Sequence, residues 1–135
     1  MHALKQRVIL STFISLLSLS AHATSDLDIT IINHFNKPLN FFLHINPDIL
    51  PNLSEHFSLP VNGEINTKII DQEHRAYVRV KDDNANDLAY WSIGIENNKS
   101  KINGYISKGI AYSWNTQKIV FCTPEAYKQK NTCFN

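Results

Sequence analysis

The sequence predicts an all-β fold: a small antiparallel β-sandwich, immunoglobulin-like or jelly-roll-like, or a partly open barrel, with one short C-terminal helix. Three observations predict it. From Leu27 onward, short runs alternate apolar and polar residues with period two, which gives a strand one core-facing side. The runs recur at spacings of about ten residues between Asn, Asp, Gly and Pro clusters, the rhythm of sandwiches and small barrels. No segment before Thr123 keeps a helical period long enough to compete.

The chain opens differently. Residues 1–7 carry Lys5 and Arg7 and no acid, residues 8–20 are apolar with small hydroxylic side chains, and Ala21-His22-Ala23 is the small-x-small triplet that signal peptidase reads. The apolar stretch of about thirteen residues falls short of the roughly twenty that a membrane-spanning helix needs. Residues 1–23 are therefore expected to be a cleaved signal peptide, and residues 24–135 a single exported β-sandwich domain, secreted or periplasmic. Removing the leader takes two positive charges and leaves 11 Lys and Arg against 12 Asp and Glu. A nearly neutral chain without basic clusters has no electrostatic footprint for nucleic acid and no polybasic patch for a membrane surface.

The strands follow in order. Residues 27–33 (LDITIIN) and 39–45 (LNFFLHI) alternate, and His34-Phe35-Asn36-Lys37-Pro38 between them is turn chemistry, for a hairpin or a corner between sheets. Residues 46–55 (NPDILPNLSE) hold two prolines and no sustained period, hence a long loop, before a short strand at 56–59. Pro60-Val61-Asn62-Gly63 turns the chain into 65–70, followed by strands at 76–81, 88–96, 101–106, 110–115 and 117–122. Parity assigns Ala76, Val78, Val80, Ala89, Trp91, Ile93, Ile95, Ile102, Ile106, Ile110, Tyr112 and Trp114 to the core. Both tryptophans thus fall inside, which argues against an indole platform for sugars. The opening DITIINHFNKPLNFFL resembles the first strands of small secreted β-sandwich proteins and carries no site motif.

Cys122 and Cys133 are the two cysteines of the chain. In an exported protein they are expected to pair, and closing a loop of about a dozen residues contributes on the order of 3 kcal/mol in the loop-entropy picture. Between them Thr123 can cap a helix that starts at Pro124, where the missing N–H costs nothing, with Glu125 at the positive end of the dipole. A redox pair would instead show Cys-x-x-Cys spacing.

The candidate site lies on the polar side of the later strands. With 82–87 and 97–100 as hairpin loops, Arg79 lies across from Tyr90 and Tyr77 across from Ser92, which also faces Tyr105. Gly94, near Asn103, leaves a shallow spot. Tyr77, Arg79, Tyr90, Ser92 and Tyr105 are accordingly the expected ligand-binding residues, suited to a protein or glycan. The competing view is ordinary strand decoration, because tyrosine favours strands and cross-strand ring pairs stabilise by themselves.

Catalytic patterns are absent from the sequence. His34, His44, His56 and His74 lack zinc spacing, and no G-x-S-x-G, H-E-x-x-H or glycine-rich phosphate loop occurs. Asp82, Asn84 and Asn86 offer calcium-type oxygens, but the EF-hand glycine position holds Asp87 and its glutamate position holds Ile93. No cofactor or metal is expected. The expected function is non-enzymatic binding of a protein or glycan through the aromatic face. One alternative is a membrane-active or toxin-like sandwich using Ile49, Leu50 and Leu53 of the long loop as an apolar tip. Another is a small secreted hydrolase built on His44, Asp48, Glu55 and His56, with Asp71 and Glu73 as further carboxylates.

Overall fold

The computed structural model describes residues 26–70 and 73–135, the side chains of Tyr105 and Ile106 apart, so the expected signal peptide and Asp71 lie outside the described residues. The described strands are β1 (Leu27–His34), β2 (Leu39–Ile45), β3 (His56–Leu59), β4 (Glu64–Ile69), β5 (Ala76–Lys81), β6 (Asp87–Glu96), β7 (Lys99–Ser107), β8 (Ala111–Trp114) and β9 (Lys118–Cys122), followed by helix α1 (Pro124–Lys130). They form two sheets, β4-β1-β9-β8 and β3-β2-β5-β6-β7, packed face to face as a sandwich.

Every pairing is antiparallel except β1 with β9, which run parallel from Thr30↔Lys118 to His34↔Cys122. Two sheets of predominantly antiparallel strands agree with the small β-sandwich expected from the sequence, and the parallel β1–β9 pair is a detail the sequence did not indicate. Short hairpin turns force antiparallel neighbours, but no turn joins the first strand to the last, so their relative direction is free.

The segment after β1 is a corner between sheets, because β1 and β2 belong to different ones. Asn33 pins it from within. Fully buried, it accepts from Phe35 N through Oδ1 (2.8 Å), while Nδ2 donates to Lys37 O (2.9 Å) and Leu59 O (3.0 Å). One amide thereby ties the β1–β2 corner to the end of β3, and its satisfied polar atoms make burial affordable.

Ile29, Ile31, Phe41, Val78, Val80, Trp91, Ile93, Ile119 and Phe121 fill the space between the sheets. Phe121 of one sheet meets Phe41 edge-on at 5.7 Å and Trp91 at 6.0 Å, so the rings interlock across the layers. Trp91 is fully buried, whereas Tyr112 and Trp114 are half-buried at the rim. The loop before β3 is a second correction. Asn46 takes a left-handed conformation (φ 50°), a 3₁₀ turn follows at Pro47–Ile49, and Ile49 and Leu50 enter the core at 3% and 1% exposure. Neither is available as an apolar tip, and Leu53 packs half-buried against the same core.

Helix α1 begins as its sequence dictates. Thr123 Oγ1 accepts from Ala126 N (3.1 Å), Pro124 opens the first turn, and Asn131 ends the helix in the left-handed region. The Cys122–Cys133 disulfide folds the segment back over its own sheet, where Ile32, Ala111, Tyr127 and Phe134 pack around Val120 and the two cystine halves. The outer side of the four-stranded sheet is thus covered by α1 and the C-terminal residues over β8, β9 and the end of β1, while Glu64, Asn66 and Lys68 of β4 stay exposed. No described element covers the outer side of the five-stranded sheet in this way.

Candidate functional site

The uncovered face is built on β2, β5 and β6, the interior strands of the five-stranded sheet. The pairings Arg79↔Tyr90 and Tyr77↔Ser92 are those expected from the sequence. Parity along β2 adds Phe42, opposite Arg79, and β3 adds His56, opposite Phe42. One row therefore reads His56, Phe42, Arg79, Tyr90 across four strands.

Three bulges shape the surroundings of Tyr90. The ladder skips one residue at His44 in β2, at Leu88 in β6 and at Tyr105 in β7. A bulge re-aims the side chain it carries. His44 Nε2 lies 2.9 Å from Tyr90 Oη, with the two rings stacked 5.3 Å apart at an interplanar angle of 27°. From the adjacent strand β5 the Arg79 guanidinium carbon stands 5.4 Å from the Tyr90 ring centroid, and the Tyr77 ring is 6.2 Å away. Phe42 is treated likewise, with His56 stacked on it at 4.4 Å and Lys81 Nζ 5.8 Å from its centroid. The face consequently alternates rings with imidazoles and cations, each holding its neighbour's position.

One carboxylate meets both cations. Asp87 Oδ2 is 3.4 Å from Arg79 and Oδ1 is 3.9 Å from Lys81, with all three side chains partly exposed. Beside them lies a hollow of about 270 Å³ lined by Arg79, Asp87, Ala89 and Tyr90.

The other end of the expected site is closed. Asn97 and Asn98 both have positive φ (52° and 63°) and form a two-residue turn, so Glu96 pairs with Lys99 and the β6–β7 register shifts by two residues from the expected one. Ser92 therefore faces Asn103, and Gly94 faces Lys101. The spot left by Gly94 is occupied by Arg75, which donates from Nε to Ser92 Oγ (2.9 Å) and from Nη2 to Lys101 O (2.7 Å). Ser92 is sealed beneath that side chain at 0% exposure and cannot meet a ligand there. Tyr105 is the unpaired residue of the β7 bulge, and its side chain lies outside the described residues.

Sequence parity placed Tyr77, Arg79 and Tyr90 on this face of the sheet and did not bring Phe42, His44 and His56 beside them. Phe42 and His44 share the polar side of LNFFLHI, but which strands lie beside β2 in the sheet is not written in that segment. Among the described residues no three His, Cys, Asp or Glu side chains come together as metal ligands. The hydrolase candidates His44 and His56 instead stack on different rings, Tyr90 and Phe42. No described helix is long and apolar enough to cross a membrane.

The hairpin tip at 82–87 spends its carboxylate inward. Asp82 Oδ1 accepts from Asn84 N and Asn86 N (both 2.9 Å), and Oδ2 accepts from Asn86 Nδ2 (3.0 Å). The Asn86 side-chain amide, reinforced by the backbone N–H groups of Asn86 and Asn84 and by nearby Lys37, holds the Asp82 carboxyl below the usual carboxylate range. The loop's own donors thus engage both Asp82 oxygens.

No protein-family model matches this chain, and no curated protein sequence matches it either.

Proposed function

We propose that the chain is an exported, non-enzymatic β-sandwich that binds a protein or glycan through the outer face of its five-stranded sheet, with Tyr90 at the centre and Tyr77, Arg79, Phe42, His44 and His56 around it. The observation that carries this reading is the set of three bulges that flank Tyr90. Plain strand decoration needs no interruption of the ladder, whereas bulges gather where a sheet presents side chains for a task. α1 packs over β8 and β9 of the opposite sheet, and no described element packs over β2, β5 and β6 in that way, which is consistent with a surface left accessible. Export is supported by the leader pattern and by the Cys122–Cys133 disulfide, which suits an oxidising compartment.

The membrane-active alternative loses two of the three apolar residues it relied on, because Ile49 and Leu50 are in the core. The test is retention of residues 24–135 on a glycan and protein array, compared with the Tyr77→Ala/Tyr90→Ala variant. Selective retention by the native chain and its loss in a variant with unchanged circular dichroism is expected. Equal retention by both would end the proposal.

A further inference from the structure

We infer that the ligand of this face is an acidic saccharide, whose carboxylate or sulfate group displaces Asp87 from Arg79 and Lys81. The inference rests on the binding role proposed above and names the ligand class. Two features of charge lead to it. Arg79 and Lys81 share a single carboxylate at 3.4 and 3.9 Å, distances too long for good charge-assisted hydrogen bonds. Both cations are nevertheless held in place, Arg79 against Tyr90 and Lys81 against Phe42. Positioned donors with a poorly engaged counter-ion favour a better-placed oxyanion. The hollow beside Tyr90, bounded by Arg79 and Asp87, offers such a group a place to sit. The other acids of the hairpin do not fill it: Asp82 is turned onto Asn84 and Asn86, and Asp83 is exposed at the tip.

The position within the sheet favours a sugar over an extended peptide. A peptide that docks on a sheet gains most from main-chain hydrogen bonds to an unpaired edge. Here β2, β5 and β6 are interior strands whose backbone groups are already engaged on both sides. Recognition has to come from side chains alone, and guanidinium, ammonium, imidazole and phenol groups match the acid and hydroxyl groups of a pyranose.

The experiment measures binding of residues 24–135 to polygalacturonate, dextran sulfate, neutral dextran and poly-glutamate at 50 mM salt. The expected result is binding to one or both acidic polysaccharides, none to neutral dextran, and markedly weaker binding to poly-glutamate. Polygalacturonate or dextran sulfate as the tighter ligand identifies carboxylate or sulfate as the group recognised. Arg79→Gln should weaken binding about tenfold, as expected for the loss of a charge-assisted bond. Asp87→Asn should strengthen it by releasing the cations.

Neutral dextran bound as tightly as the acidic polymers, or Arg79→Gln and Asp87→Asn without effect, would overturn the inference while leaving the aromatic-face role to its own array test. Poly-glutamate bound as tightly as polygalacturonate would overturn the saccharide assignment in favour of an acidic protein. Binding to none of the four would also overturn it.

Discussion

Arg75 lies against Gly94, its Cγ 3.0 Å from the point where a Cβ on residue 94 would stand, and its guanidinium reaches on to Ser92 and Lys101. The missing side chain at Gly94 is what lets an arginine cross β6 and tie it to β7. Arg75→Ala removes the charged donors from Ser92 Oγ, Ser92 O and Lys101 O. A hydrogen bond to a charged group contributes about 1.5–3 kcal/mol net, and three bonds from one partly exposed guanidinium do not add in full. A net loss of about 2 kcal/mol in urea unfolding is expected for Arg75→Ala. A change near zero would mean that the guanidinium is surface decoration.

The Cys122–Cys133 disulfide closes a short loop, 11 residues in sequence separation, that contains all of α1. On loop-entropy grounds Cys122→Ser/Cys133→Ser should lower stability by about 3 kcal/mol. The helix is only seven residues long, below the length at which a peptide helix is stable alone. Hydrogen exchange should therefore show α1 losing protection first, ahead of β9. Loss of protection across both sheets at once would show that the disulfide holds the whole domain together and is not a local staple.

Much of this architecture can be read from one chain because period-two alternation and turn residues act locally. The bounds of β2 and β5 and the start of α1 follow from LNFFLHI, AYVRVK and Thr-Pro-Glu with no long-range information. What escaped depends on geometry that sequence encodes weakly. The two-residue Asn97-Asn98 turn and the bulge at Tyr105 together reset the β6–β7 register, and either one moves a side chain to a different neighbour. The parallel β1–β9 pair joins segments some ninety residues apart, which no local signal can anticipate. In the candidate site, Tyr77, Arg79 and Tyr90 were legible because one hairpin carries all three. Phe42, His44 and His56 arrive on strands whose order in the sheet had to be seen.

The Asp82 carboxyl makes a pH prediction. Its folded pKa is held below the ordinary value by the Asn86 amide and the backbone donors of the hairpin tip, so the folded state binds its proton less readily than the unfolded chain. Stability from this group is fully present above the ordinary aspartate pKa of about 3.9, and it is lost as pH falls through the lower folded value. Asp82→Asn keeps an acceptor for the Asn84 and Asn86 N–H groups but removes the charge. The variant should be less stable than the native chain at pH 6, with the gap narrowing below about pH 4. A gap independent of pH between 2 and 6 would assign the effect to loop shape and not to charge.

Gly104 makes the last prediction, at the rim where the sheets meet. It pairs with Trp91 on β6, and the Tyr112 phenol arrives over it from the other sheet. A Cβ at residue 104 would run into Tyr112 Oη and stand 3.0 Å from Cζ. Overpacking of this kind costs typically 1–3 kcal/mol, so Gly104→Ala should destabilise by that amount. The cause can be isolated because the obstacle is one ring. In a Tyr112→Leu background the same Gly104→Ala change should cost much less, since contacting residues commonly couple by 0.5–3 kcal/mol. Costs that add to within about 0.5 kcal/mol would place the strain in the β7 backbone beside the Tyr105 bulge, and not in the contact between sheets.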